Sequence, residues 1–287
     1  IFLVPKAMTA EMGSPALVML VWIVGGLLSM FGALTYAGFA RRFPEAGGEF
    51  VYLREMYGPF WAFTYGWLQT WIARPGAIAT LATAFFSYLA YFVPELEKTI
   101  ATVPLPIGPG WQPLQIRTGQ LLAIVVIVLL GFLNARGVQA GSLFQMSATA
   151  VKVLLIAIVI AAGLFFGGGT ASNFTSQTTP TSGSFTAHFF AALVAALWAY
   201  DGWNTVVMVG SEIKDPTRNF PRALIGGMGA IIAIYLLANI AYFFVLDATQ
   251  VAASTRVAAD MMKRVAGDWG GSFVSIAAIV SIAAATN

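Results

Sequence analysis

Three ionisable residues stand inside runs that otherwise carry no charge: Arg74 between Phe60 and Val93, Lys152 between Ser142 and Gly167, and Asp201 between His188 and Gly210. A charged side chain deep in a bilayer costs about 3 kcal/mol or more unless it is paired or wetted, so each needs a reason. Arg74 precedes Pro75. The proline removes a backbone donor and should kink its helix, leaving Arg74 either to bond the carbonyls that the kink frees or to serve function. Lys152 lies too deep to reach the interface easily, which favours a functional role. Asp201 lies mid-span in Trp198-Ala199-Tyr200-Asp201-Gly202-Trp203-Asn204, and Asp-Gly is a poor helix interior, so this helix should break near the membrane midplane.

A broken helix has a chemistry of its own. The first half ends in free carbonyls, which attract an ammonium or cation, and the second begins with free N–H groups, which attract a carboxylate. A zwitterionic amino acid suits both ends, and membrane transporters build substrate sites this way. The alternative is a glycine-rich helix-packing patch. Asp201 has two readings of its own, a cap on the second half-helix, which is preferred, or a charge facing the substrate side chain.

Other chemistries lack their residues. There is one His, His188, and no Cys, so neither a thiol nucleophile nor a thiolate metal site can form. An enzyme would need a nucleophile–base pair or a metal cluster, and a channel would need polar rings. Neither pattern is visible, and no metal or cofactor is expected. Composition agrees: 59% of the 287 residues are hydrophobic and 9% charged, against roughly 25% charged in soluble domains. With a mean hydropathy of +0.80, a soluble enzyme and a nucleic-acid binder are excluded as first readings.

The elements that would hold these residues are apolar runs long enough to cross a bilayer, about 20 residues each as helix. The expected helices are 1–11, 15–40, 59–93, 118–135, 142–167, 187–210, 222–246 and 270–287, an all-α polytopic membrane protein in one transmembrane domain over 1–287. Six are whole spans, and the first and last read as partial ones. Lys and Arg in short loops place Arg41, Arg136 and Arg218 on the cytoplasmic side. Residues 94–117 read as an ordered outer loop and 168–187 as a mobile Gly/Thr/Ser tract. Residues 248–264 read as a short outer helix, and 48–57 as an amphipathic helix at the inner interface.

Five stretches, taken together, resemble the amino acid–polyamine–organocation superfamily and its L-type amino acid transporter-like branch. They are Ile1-Phe2-Leu3-Val4-Pro5; Trp22-Ile23-Val24-Gly25-Gly26; Arg42-Phe43-Pro44-Glu45-Ala46-Gly47-Gly48-Glu49; Trp198 to Asn204; and Glu212-Ile213-Lys214-Asp215-Pro216 with Arg218-Asn219-Phe220-Pro221. The resemblance implies the LeuT-like inverted-repeat fold, incomplete in this chain, running from the outer half of helix 1 into helix 8. It implies a secondary transporter of amino acids working by alternating access in a bacterial inner membrane, with an amine or polyamine transporter of the same fold as alternative.

By the same resemblance, carbonyls of Trp198, Ala199, Tyr200, Asp201 and Gly202 would bind the substrate ammonium, with Trp198 as a gate. Ile1 and Phe2 would flank the substrate carboxylate. Lys152 matches the lysine that stands where sodium-coupled relatives hold sodium, implying sodium-independent exchange or proton coupling. Its partners would be helix 1 carbonyls and a hydroxyl such as Ser281 or Thr286. Animal members bind a glycoprotein through a loop cysteine; this chain has no Cys, so no disulfide-linked subunit is expected.

Overall fold

The computed structural model describes residues 2, 4–104, 113–135, 138–179 and 183–286. In chain order its helices are α1 (Val4–Met12), α2 (Pro15–Arg42), α3 (Glu49–Tyr57), α4 (Pro59–Leu68), α5 (Arg74–Leu89), α6 (Thr118–Ala135), α7 (Val138–Phe166), α8 (Phe185–Tyr200), α9 (Pro216–Val245), α10 (Ala248–Ala253) and α11 (Val257–Thr286). Prolines open α2, α4 and α9, where their missing N–H is one the helix start leaves unpaired anyway.

Among the described residues, five helical stretches are long and apolar enough to cross a membrane: Pro15–Arg42, Thr149–Phe166, Phe185–Val209, Pro216–Val245 and Val257–Thr286. Thr118–Phe132 is apolar but shorter. The expected long helix over 59–93 is interrupted. A π turn, Gln69–Ala73, separates α4 from α5 immediately before Arg74 and Pro75, so the missing proline donor is met by a widened turn. Arg74 does not bond the freed carbonyls. Its exposed side chain has no hydrogen-bond partner among the described residues.

The chain forms two compact units, one made of Ile1–Trp71 and Val159–Val265, the other of Ile72–Ile158 and Ala266–Asn287. In the first unit α2 packs against α9 and α8, while α1 packs against α8 and α10. Its centre is aromatic. Trp22 meets Tyr200 at 5.5 Å and Tyr235 at 5.3 Å between ring centroids, both edge-on, and Tyr200 meets Tyr235 at 5.2 Å. Such pairs add about 0.5–1.5 kcal/mol each beyond burial. Trp22-Ile23-Val24-Gly25-Gly26 packs here because its glycines have no side chain. A β-carbon on Gly26 would sit 2.9 Å from Ile232 Cγ1 and 3.0 Å from the Tyr200 hydroxyl.

One end of this unit closes on a cluster of Ala40, Val51, Tyr52, Val207 and Phe220. There Arg41 Nε donates to the Thr217 carbonyl at 3.2 Å, joining two of the loops expected in the cytoplasm. Arg136, expected on the same side, lies outside the described residues. Within the tract 168–187, residues 170–176 are built in rather than loose. Residues 171–175 form a 3₁₀ turn, Thr170 N–H and Asn173 Nδ2 both donate to the Phe244 carbonyl, and Ser176 Oγ accepts from Ala248 N–H. Small polar side chains that read as mobile in sequence here satisfy the end of α9 and the start of α10. The expected outer helix over 248–264 is two pieces. Helix α10 carries a capping box between Asp247 and Gln250, and α11 begins at Val257.

In the second unit α5 packs on α6 around Ala82, Phe86, Ala90, Leu96 and Ala123. The segment expected as an outer loop holds an antiparallel ribbon of β1 (Thr99–Val103) and β2 (Leu114–Arg117), which its Pro and Gly content did not suggest. The part of α11 in this unit starts beyond a break at Ala266 and Gly267, where Gly267 takes φ +65°.

Candidate functional site

The first unit contains the break. Helix α8 stops at Tyr200. Asp201 is extended, with φ −61° and ψ 152°, Gly202 turns the chain at φ +109°, and a 3₁₀ stretch follows over Trp203–Glu212. An L-residue rarely adopts the Gly202 conformation, so glycine is what permits the turn. Carbonyls at the end of α8 are only partly used. Trp198 O accepts from Asp201 N–H at 3.3 Å, and Ala199 O accepts from the Tyr235 hydroxyl at 3.0 Å. Gly202 O takes both the N–H and the hydroxyl of Thr205. The Tyr200 and Asp201 carbonyls have no donor among the described residues. The result is a pair of free acceptors at the negative end of one helix, next to the unpaired N–H groups that open the following turn.

The side chains around the break divide by exposure. Trp198 is 49% exposed, whereas Tyr200 is 1% exposed and donates its hydroxyl to the Trp22 carbonyl at 3.1 Å. Tyr200 can therefore offer a ligand only its backbone. Asp201 is exposed, and its carboxylate accepts no N–H from the following turn. The preferred reading of it as a cap is not met. Gly202 intervenes and its carbonyl, not the aspartate, receives Thr205, so the carboxylate is left to face solvent or ligand. Phe2 is half-buried just before α1; Ile1 lies outside the described residues.

Two further bonds hold the halves of the break, and the sequence reading did not find them. On the α8 side, His188 Nδ1 lies 2.6 Å from Glu11 Oε2, tying α8 to α1. On the other side, Asn204 Nδ2 donates to Glu49 Oε1 at 2.7 Å, tying the 3₁₀ stretch to α3. A hydrogen bond to a charged group contributes about 1.5–3 kcal/mol net. Glu49 is buried at 6% exposure, and its negative charge, after burial itself, pushes the neighbouring Tyr52 hydroxyl from 10 up to about 12.

The second unit holds the other residues expected to couple or gate, Lys152, Ser281 and Thr286. Lys152 is half-buried on α7 and forms no ion pair or hydrogen bond with any described residue. Ser281 and Thr286 are half-buried on α11, and the Thr286 hydroxyl donates to the Ile282 carbonyl of its own helix at 2.9 Å. No hydrogen bond joins Lys152 to either hydroxyl. Among the described residues no group of three or more His, Cys, Asp or Glu side chains is placed to hold a metal ion.

Comparisons with known proteins give the family. The family model for amino acid permeases matches residues 1–287. The chain is 32% identical over 286 residues to the serine/threonine exchanger SteT of Bacillus subtilis, covering 98% of this chain and 59% of that protein. It is 32% identical over 267 residues to the mouse b(0,+)-type amino acid transporter 1, covering 92% of this chain and 51% of that one. It is also 30% identical over 270 residues to the human cystine/glutamate transporter, covering 94% and 51%. The chain thus spans between about half and three fifths of the length of these relatives. With its apolar spanning helices, it is an integral membrane protein of the amino acid permease family, in the amino acid–polyamine–organocation superfamily.

Proposed function

We propose that this protein is a secondary transporter that carries amino acids across a bacterial inner membrane by alternating access. Residues 1–287 belong to one transporter domain in this reading. The observation that carries it is the break at Asp201–Gly202, with free carbonyls at the end of α8 beside free N–H groups at the start of the next turn. A substrate ammonium is held by the Tyr200 and Asp201 carbonyls. Trp198 covers the substrate, and Phe2, with Ile1, flanks its carboxylate. The relatives named as an exchanger and as amino acid transporters support the substrate class.

Coupling is sodium-independent, by exchange or with protons. Lys152 supplies a fixed or transferable positive charge where a sodium-coupled transporter needs a cation, and Ser281 and Thr286 offer it hydroxyl acceptors. The exposed Asp201 carboxylate extends the site toward cationic side chains. A competition screen tests this reading. Full-length protein in proteoliposomes is assayed for uptake of one labelled amino acid against all common amino acids and polyamines. Inhibition by amino acids and not by polyamines is expected, and inhibition by polyamines alone would overturn it.

A further inference from the structure

The stretch Gly47-Gly48-Glu49 meets the inner part of the broken helix at three successive points. Gly47 N–H donates to the Met208 carbonyl at 3.1 Å. Gly48, at φ +50°, lies so close to Val207 that a β-carbon there would come within 2.7 Å of its Cγ2. Glu49 Oε1 accepts from Asn204 Nδ2 at 2.7 Å. Both sides of this contact meet α2: Trp203 packs edge-on against Tyr36 at 5.0 Å, and the Tyr36 hydroxyl faces the Glu49 carboxylate. Of these attachments, Glu49 to Asn204 is the side-chain hydrogen bond nearest the break, two residues beyond Gly202.

We propose that Glu49 is a positioning residue for substrate binding: through Asn204 it fixes the stretch 203–212 on α3 and so sets the geometry of the Tyr200–Gly202 break. The inference rests on the proposed amino acid site but concerns a residue outside it. A buried carboxylate, 6% exposed, is costly to keep without a partner, and the amide of Asn204 donates to it from beyond the break, with the Tyr36 hydroxyl beside it from α2. Releasing that donor frees the first turn after Gly202, on which the direction of the Tyr200 and Asp201 carbonyls depends.

The test uses Glu49→Ala, Glu49→Gln, Asn204→Ala and the double variant Glu49→Ala/Asn204→Ala in the full-length protein, with amino acid binding measured in detergent. Residues 1–287 contain no Cys; with any cysteine elsewhere in the full-length protein replaced by Ala, Val207→Cys, at a position 1% exposed, is a single thiol whose maleimide labelling rate reports release of the stretch without any substrate. Glu49→Ala and Asn204→Ala should each weaken binding at least tenfold and speed labelling. The double variant should be no weaker than either single one, because the pair acts as a unit. Glu49→Gln, whose amide oxygen still accepts from Asn204, should stay within threefold of the unsubstituted protein. Additive losses, a Glu49→Gln variant as weak as Glu49→Ala, or unchanged labelling would overturn the proposal. An unsubstituted protein that binds no amino acid would instead overturn the proposed function, while the labelling comparison would still decide the role of Glu49.

Discussion

At Gly202 the backbone takes φ +109°, a region that costs an L-residue about 1–3 kcal/mol. Gly202→Leu should therefore leave the protein folded but weaken amino acid binding at least tenfold, as measured by equilibrium binding. Normal affinity would show that the turn is not needed. One residue away, Asp201→Asn should lower uptake of lysine and arginine about tenfold relative to neutral amino acids, because its free carboxylate is the nearest negative charge to the break. Equal effects on all substrates would contradict that placement. Tyr52 gives a pH test. Its hydroxyl is held neutral by burial and by Glu49, and titrates at about 12 rather than 10. The folded state thus gains stability that is complete below pH 10 and disappears as pH rises toward 12. Tyr52→Phe should flatten the alkaline loss of thermal stability in that window, and an unchanged profile would contradict it.

Helix packing in the first unit depends on small residues where α2 meets α8 and α9. Gly26→Val would push a side chain into Ile232 and the Tyr200 hydroxyl, a strain of about 1–3 kcal/mol, and melting in detergent should fall by several degrees. The apolar runs, with Pro and Gly at their ends, marked out helical stretches, but not the π turn at Gln69–Ala73 that divides the helix expected over 59–93. The break at Asp201-Gly202 was legible, because that dipeptide disfavours a helix in any context. Its details were not. Whether Asp201 caps the next turn depends on where the chain points after Gly202. The pairing of β1 with β2 was not legible, although Thr99-Ile100-Ala101-Thr102-Val103 is rich in β-branched residues. The tract 168–187 read as mobile because composition cannot show that Asn173 and Ser176 find partners near residues 244 and 248.

For the whole molecule, the bonds invisible in sequence are those between distant segments. Glu11 and His188 are separated by 177 positions, and Glu49 and Asn204 by 155. No local pattern marks such pairs; the only hint was a lone His or Glu close to the end of an apolar run. Lys152, by contrast, was conspicuous in sequence as a charge in an apolar helix, and the role proposed for it belongs to the transport cycle proposed for the whole protein. Lys152→Ala should cut the initial rate at least tenfold while changing substrate affinity less, with no rescue by sodium. Unchanged turnover from pH 5.5 to 8.5 would leave it a packing residue. The most direct test of the account as a whole is uptake of labelled amino acid into proteoliposomes holding the full-length protein, with sodium or choline outside and with or without unlabelled amino acid or a proton gradient across the membrane. The account predicts saturable uptake that is the same in sodium and choline and is driven by internal amino acid or by protons. Uptake that requires sodium, or no saturable uptake of any amino acid, would contradict it.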